Sequence, residues 1–175
     1  MSIGQGFLHV TPIGMCNFVS AIVNNGIVYR PHIVKEIRTN DSSRVIKTFQ
    51  RERILEIPLN LLTLQAVKKG MRLSVTSGTS GQLGYLKVPV AGKTGTAQTR
   101  SIRQEKYSQH AWFIGYAPFE GPPENTVVTV VLVEYGVAGA SSAVPIAERV
   151  FSKLNELGYF YSTAPAVSVG HEYKK

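Results

Sequence analysis

The sequence predicts an α+β fold, an antiparallel sheet flanked by helices, on three observations. Apolar runs rich in β-formers at residues 87–98, 110–116 and 126–135 are joined by the polar "TRSIRQEKYSQ" and the Gly/Pro-rich "PFEGPPEN". Connections this short favour an antiparallel meander over a crossover. Helical periodicity marks segments before and after these strands, and two further short strands around "TNDSS" read as a hairpin.

The elements follow in order. Thr11-Pro12 is an N-cap followed by a first-turn proline, after which Met15, Phe18, Val19, Ile22 and Val23 recur at helical spacing. "NNGIVYRP" stops that helix, and residues 33–38 and 44–49 form the hairpin. Beyond Pro58, "LNLLTLQAVKKGMRLSV" reads as a second helix, with Gly70 a weak point inside it. "TSGTSGQLG" is a loop by composition, and the three strands follow it. "SSAVPIAERVFSKLNELGY" closes the order as an amphipathic helix, expected to be capped by Ser141 or Ser142 and to end at Leu157-Gly158. Residues 162–175 are expected to be a loose, disordered tail. No internal repeat and no long linker is visible.

With 175 residues, 43% of them apolar, the chain is long enough for one core that buries about two-thirds of its unfolded surface. Nineteen Lys and Arg against 11 Asp and Glu give a net charge of +8. The charges are scattered, with no basic helix or arginine stripe, so they describe a solvated basic surface better than a nucleic-acid partner. Cys16 is the single cysteine, on an apolar helix face, which excludes an internal disulfide and a thiol cluster and is expected to pack. No apolar run approaches about 18 residues, and "MSIGQGFLHV" lacks the basic start and apolar stretch of a leader. A role outside the cytoplasm therefore needs an address carried upstream.

The segment that carries chemistry is "VPVAGKTGTAQT", residues 88–99. Lys and Thr after a glycine invite a phosphate-loop reading, but that loop needs a glycine where Lys87 stands. A nucleophile elbow fails in "GTSGQ", whose second glycine, Gly81, comes one place early. As a strand, the segment puts Lys93 and Gly95 on one face and Thr94 and Thr96 on the other. One ligand meets both sets only by lying alongside the strand, in the sheet plane, at a free edge. Gly95 then lets a second backbone approach and pair by strand addition. The threonine hydroxyls suit a carboxylate, Lys93 makes the site anion-selective, and the backbone N–H of Thr96 is placed to meet a developing oxyanion. The ligand described is an extended peptide ending in a carboxylate.

Lys-Thr-Gly is the third signature element of penicillin-binding proteins and serine β-lactamases. Here it stands in "VAGKTGTAQ", followed by "HAWFIGYAP", the β-rich "TVVTVVLVEYG" and a final amphipathic helix. Upstream, "SIGQGFLHVTPIGMCNFVSAIVNNGIVYRPHIV" resembles the helix-and-proline block of elongation-type class B penicillin-binding proteins, those of the penicillin-binding protein 2 type. Order, spacing and wording of these blocks cover about residues 2–160. The resemblance implies the penicillin-recognising transpeptidase architecture, with residues 1–161 as the C-terminal part of one such domain. It departs from the family in two places: no Ser has a Lys three positions on, and no Asn has a Ser two positions before. The Ser-x-x-Lys nucleophile and the Ser-x-Asn element are therefore absent, and the chain is expected to be incomplete and inactive alone.

What the resemblance implies for mechanism is acyl transfer. A serine attacks the penultimate D-Ala carbonyl of a peptidoglycan stem peptide, D-Ala leaves, and an amine from a neighbouring stem resolves the acyl-enzyme. Lys93 would support proton transfer and attract the substrate carboxylate, Thr94, Gly95 and Thr96 would bind it, and the Thr96 N–H would give one of two oxyanion donors. No cofactor or metal is implied. Stem peptides, β-lactams, the missing half of the domain and a cell-elongation glycosyltransferase are the implied partners. The implied location is the outer face of the bacterial inner membrane. Alternatives are a fragment of a β-lactam sensor or β-lactamase, and a non-catalytic module that binds peptide carboxylates.

Other residues read as structural. His110 opens a core strand, and His9, His32 and His171 show no metal-ligand spacing. Trp112 and Phe113 pack on opposite faces of a covered strand. Arg100, Arg103 and Lys106 lie in a polar loop beside the expected cleft, and Gln5 in "SIGQG" either shapes its floor or allows a turn.

Overall fold

The computed structural model describes residues 8–98 and 109–160. Among the described residues are three α-helices, α1 (Pro12–Val23), α2 (Leu61–Thr76) and α3 (Val144–Glu156), and seven strands. Strands β1 (Ile27–Tyr29) and β4 (Arg53–Glu56) pair, β2 (Glu36–Arg38) and β3 (Val45–Thr48) form the hairpin, and β5 (Ala91–Gln98), β6 (Gln109–Ala117) and β7 (Val127–Val133) form the sheet in the order β5-β6-β7. All pairings are antiparallel. The expected α+β class is what the structure shows.

Local chemistry explains the ends. The Thr11 hydroxyl accepts the Gly14 N–H at 3.1 Å, and the Asn60 side chain accepts from the N–H groups of Leu62 and Thr63 at 2.9 and 3.3 Å, so α1 and α2 each start on a side-chain cap. α1 stops where Asn25 and Gly26 turn to φ 55° and 96°. A side chain at Gly26 would sit 2.3 Å from the Ile57 carbonyl oxygen, so this turn is restricted to glycine by space as well as by φ. Lys68 of α2 reaches back across that turn, donating to the Val23 carbonyl at 3.3 Å and to Asn25 Oδ1 at 3.1 Å. A cation is favoured there by the partial negative charge of the α1 C-terminus. In the hairpin turn, the hydroxyls of Thr39 and Ser43 donate to Asp41 and hold its carboxyl down at about 2.

The sheet is covered on both faces. Ala91 and Tyr116 face Val19, Ile22 and Val23 of α1 with Leu64 and Met71 of α2. Phe113 and Val131 face Val144, Ala147 and Phe151 of α3, with Val75, Leu83, Val88 and Val90 closing the layer. Phe113 and Phe151 meet edge to face, centroids 6.4 Å apart.

Several expectations are corrected. The β5 ladder begins at Ala91, not Lys87; Val88 and Val90 are buried without pairing, and Pro89 has no N–H to give a ladder. α3 has no serine cap. Ser142 lies in a π turn, Gly139–Ala143, that precedes the helix, and its hydroxyl accepts the Val137 N–H at 3.2 Å. The helix does end at Leu157-Gly158, with Gly158 at φ 77°. Phe18 keeps the helical register but is 55% exposed. The β1–β4 pair has no local signature, because its strands are joined only through long-range pairing. The tail at 162–175 lies outside the described residues.

Candidate active-site strand

β5 pairs with β6 over its whole length, Lys93 opposite Ile114, Thr94 opposite Phe113, Gly95 opposite Trp112 and Thr96 opposite Ala111. Among the described residues it is one of the two edge strands of its sheet. The alternation read from sequence therefore holds in three dimensions: Lys93 and Gly95 share the face of Ala91 and Tyr116, and Thr94 and Thr96 share the face of Phe113.

The two glycines of "AGKTG" have different causes. A Cβ at Gly92 would fall 2.4 Å from Phe113 Cζ and 2.8 Å from the Ile114 carbonyl oxygen, so this glycine, with Gly115 opposite it, makes the notch that seats the Phe113 ring. Among the described residues a Cβ at Gly95 would meet only Trp112 Cβ, at 3.4 Å, an ordinary contact, so the described residues leave the lysine face open there.

Lys93 is exposed, and its ammonium donates to the carbonyl of Thr94 at 2.9 Å. Thr94 is half-buried, and its hydroxyl lies 2.6 Å from the hydroxyl of Thr79, in the loop after α2. Thr96 is exposed. The strand's position is fixed from two sides. Arg72 of α2 donates to the Val90 carbonyl at 2.6 Å just before β5 begins. Gly139 of the π turn lies so close that a Cβ there would fall 2.6 Å from the Trp112 carbonyl oxygen, 2.8 Å from that of Gly95 and 2.8 Å from Thr94 Cβ.

Other sequence candidates fall elsewhere. His110 Nδ1 accepts the Tyr135 N–H at 3.1 Å, and the two rings meet edge to face, so this histidine holds the turn after β7. Cys16 is half-buried, burial pushes its thiol up, and it lines a cavity of about 620 Å³ with Asn17, Tyr29 and Arg30. No residue of β5 lines that cavity. Arg100, Arg103, Lys106 and Gln5 lie outside the described residues. Thr79 escaped sequence reasoning, because its partner is 15 residues away and "TSGTSGQLG" announces only a loop.

A Lys-Thr-Gly edge strand in an antiparallel sheet covered by helices on both faces defines the penicillin-recognising class of α+β folds. Comparison with known proteins narrows the class. The family model for the penicillin-binding protein transpeptidase domain matches residues 1–152, and the chain belongs to that family. It is 34% identical over 166 residues to the peptidoglycan D,D-transpeptidase MrdA of Haemophilus influenzae, covering 86% of this chain and 24% of that protein. It is 29% identical to the peptidoglycan D,D-transpeptidase PbpA of Mycobacterium tuberculosis, over 85% of this chain and 30% of that one. Among solved structures, the ceftriaxone acyl-enzyme complex of penicillin-binding protein A from M. tuberculosis superposes with a TM-score of 0.73 at 29% identity, covering 86% of this chain and 33% of that chain. A peptidoglycan synthase complex superposes at 0.70 and 29%, over 96% and 26%. The chain thus spans a quarter to a third of the length of these relatives.

Proposed function

We propose that this chain supplies the Lys-Thr-Gly wall of a peptidoglycan D,D-transpeptidase cleft, one that cross-links stem peptides through a serine acyl-enzyme and is acylated by penicillin. The observation that carries the reading is the edge position of β5, with Lys93 and the open space at Gly95 on one face and the Thr94 hydroxyl on the other. A carboxylate-ended peptide laid along that edge meets all three. Lys93 attracts the carboxylate and supports proton transfer, the Thr94 and Thr96 hydroxyls bind the carboxylate, and the Thr96 N–H serves as one oxyanion donor. Removing such a donor costs on the order of 10²–10³ in rate.

The 175 residues hold neither Ser-x-x-Lys nor Ser-x-Asn, so in this reading the nucleophile and its relay are supplied from outside them. Relatives named as peptidoglycan transpeptidases support the substrate class, and the likeness to a peptidoglycan synthase complex supports a glycosyltransferase partner. That chemistry takes place at the outer face of the inner membrane. Among the described residues no helix is long and apolar enough to cross a membrane.

Labelling with a fluorescent penicillin tests the reading. The chain alone should take no label, and the chain together with the serine-bearing polypeptide should be labelled on the latter. In the assembled protein Lys93→Ala should slow acylation by about 10²-fold or more, the usual scale for losing a proton-transfer group. Unchanged acylation would remove Lys93 from the site, and a covalent adduct on the chain alone would overturn the assignment of the nucleophile to other polypeptide.

A further inference from the structure

We propose that Thr79 is a positioning residue for carboxylate recognition: its hydroxyl donates to Thr94 Oγ1 and so turns the single Thr94 proton outward, toward the ligand. The inference rests on the reading of β5 as the carboxylate-binding wall.

The contact joins two fixed backbones. On one side, Ser80, next to Thr79, is fully buried; its N–H donates to the Ser74 carbonyl at 2.9 Å and its hydroxyl lies 3.2 Å from that of Ser74. Two residues on from Ser80's neighbour, Leu83 is 1% exposed in the core and its N–H donates to the Ser80 carbonyl at 3.0 Å. Preceding Thr79, Gly78 is so close to α2 that a Cβ would fall 3.0 Å from Ser74 Cα and from its carbonyl oxygen. Thr79 is therefore held between two neighbours that cannot drift. On the other side, Thr94 is laddered to Phe113 and backed by Gly139. At 2.6 Å the two hydroxyls are at the short end of the O–H···O range.

Each hydroxyl carries one proton and two lone pairs. A hydroxyl that must give its only proton to a carboxylate can engage a second group only by accepting. If Thr94 donated to Thr79, it would present a lone pair to the incoming carboxylate and repel it. With Thr79 as donor, the pair becomes a directed chain, Thr79 O–H to Thr94 Oγ1 and Thr94 O–H to carboxylate, in which each bond polarises the next. The effect is largest for a charged acceptor at the far end of the chain, where the hydrogen bond is strongest.

The test uses the assembled transpeptidase, with benzylpenicillin and its methyl ester as acylating probes. Thr79→Val keeps the shape and removes the donor, Thr79→Ser keeps the donor, and Thr94→Val removes the relay point. Acylation by benzylpenicillin should fall about five- to tenfold in Thr79→Val, the scale of one hydrogen bond to a polar group, and return to the parent rate in Thr79→Ser. Thr79→Val added to Thr94→Val should cost nothing more, since the two act in series. The methyl ester, whose neutral carbonyl is a weaker acceptor, should lose clearly less in Thr79→Val than benzylpenicillin does. Equal losses with acid and ester, or additive losses in the double variant, would make Thr79 merely structural and overturn the proposal. If Thr94→Val itself leaves benzylpenicillin acylation untouched, the carboxylate-binding reading of β5 fails, and the proposal with it.

Discussion

Gly92 and Gly95 stand three residues apart in one strand, and they answer to different surroundings. Gly92 is spent on the core, since the Phe113 ring occupies the volume its side chain would need, while Gly95 leaves open space beside Lys93. The sequence text "AGKTG" shows two identical residues, and the difference depends on where Phe113 projects across the sheet. Tyr116 poses a similar question of a single group. Its hydroxyl is buried with no hydrogen-bond partner among the described residues, and burial pushes its ionisation up to about 12. An unsatisfied buried hydroxyl costs about 1–3 kcal/mol. Tyr116→Phe should therefore leave the fold intact and raise the stability of the chain by about 1 kcal/mol, read by chemical denaturation; a loss of stability would mean that the hydroxyl has a partner. The pH sign follows from the shift. Folding favours the neutral phenol, so this contribution is intact below the unfolded value near 10 and is lost as pH rises from there toward 12. Stability of Tyr116→Phe should fall less steeply than the parent's over that window.

Glycines also separate what an element tolerates from what it requires. Gly70 sits inside α2 with nothing among the described residues within 4 Å of where a Cβ would be, so Gly70→Ala should stabilise the helix by about 0.5–1 kcal/mol. Gly139 meets two carbonyl oxygens of β5 and β6 and Thr94 Cβ, so Gly139→Ala should cost about 1–3 kcal/mol by forcing backbone apart. Thermal unfolding of the two variants against the parent checks both, and opposite shifts in Tm are expected. The first of these was legible in sequence as a helix blemish; the second was not, because "VAGASSAVP" reads as a capped helix start. What the sequence displays well is local: the Thr11-Pro12 start, the 3.6 period of α3 burying Val144, Ala147 and Phe151, and the alternation of β5 through β7. What it hides is set by partners far along the chain. The β1–β4 pair, the burial of Val88 and Val90 outside any strand, and the hydroxyl pair of Thr79 and Thr94 all depend on distant residues.

At the scale of the molecule, both faces of the sheet are covered, yet large apolar side chains remain outside. Ile13 and Phe18 on α1 are 59% and 55% exposed, and Leu61, Leu62 and Leu73 on α2 are 62%, 75% and 59% exposed. The same helices bury Val19, Ile22, Leu64 and Met71 against the sheet, so each is apolar on more than its packed face. A helix apolar well beyond one stripe is adapted to contact on a second side. On the proposed function, that second side is met by the residues that bring the serine, which the edge of β5 would also need for chemistry, so structural and catalytic completion would be one event. The 175 residues alone should self-associate in a concentration-dependent way, despite a charge of +8 that opposes contact between copies. Sedimentation velocity reads this directly, and raising the salt concentration should strengthen the association by screening that repulsion. Adding the serine-bearing polypeptide should replace self-association by a one-to-one complex, whereas a monodisperse monomer indifferent to salt and to that polypeptide would show that the outer faces of α1 and α2 have no such partner.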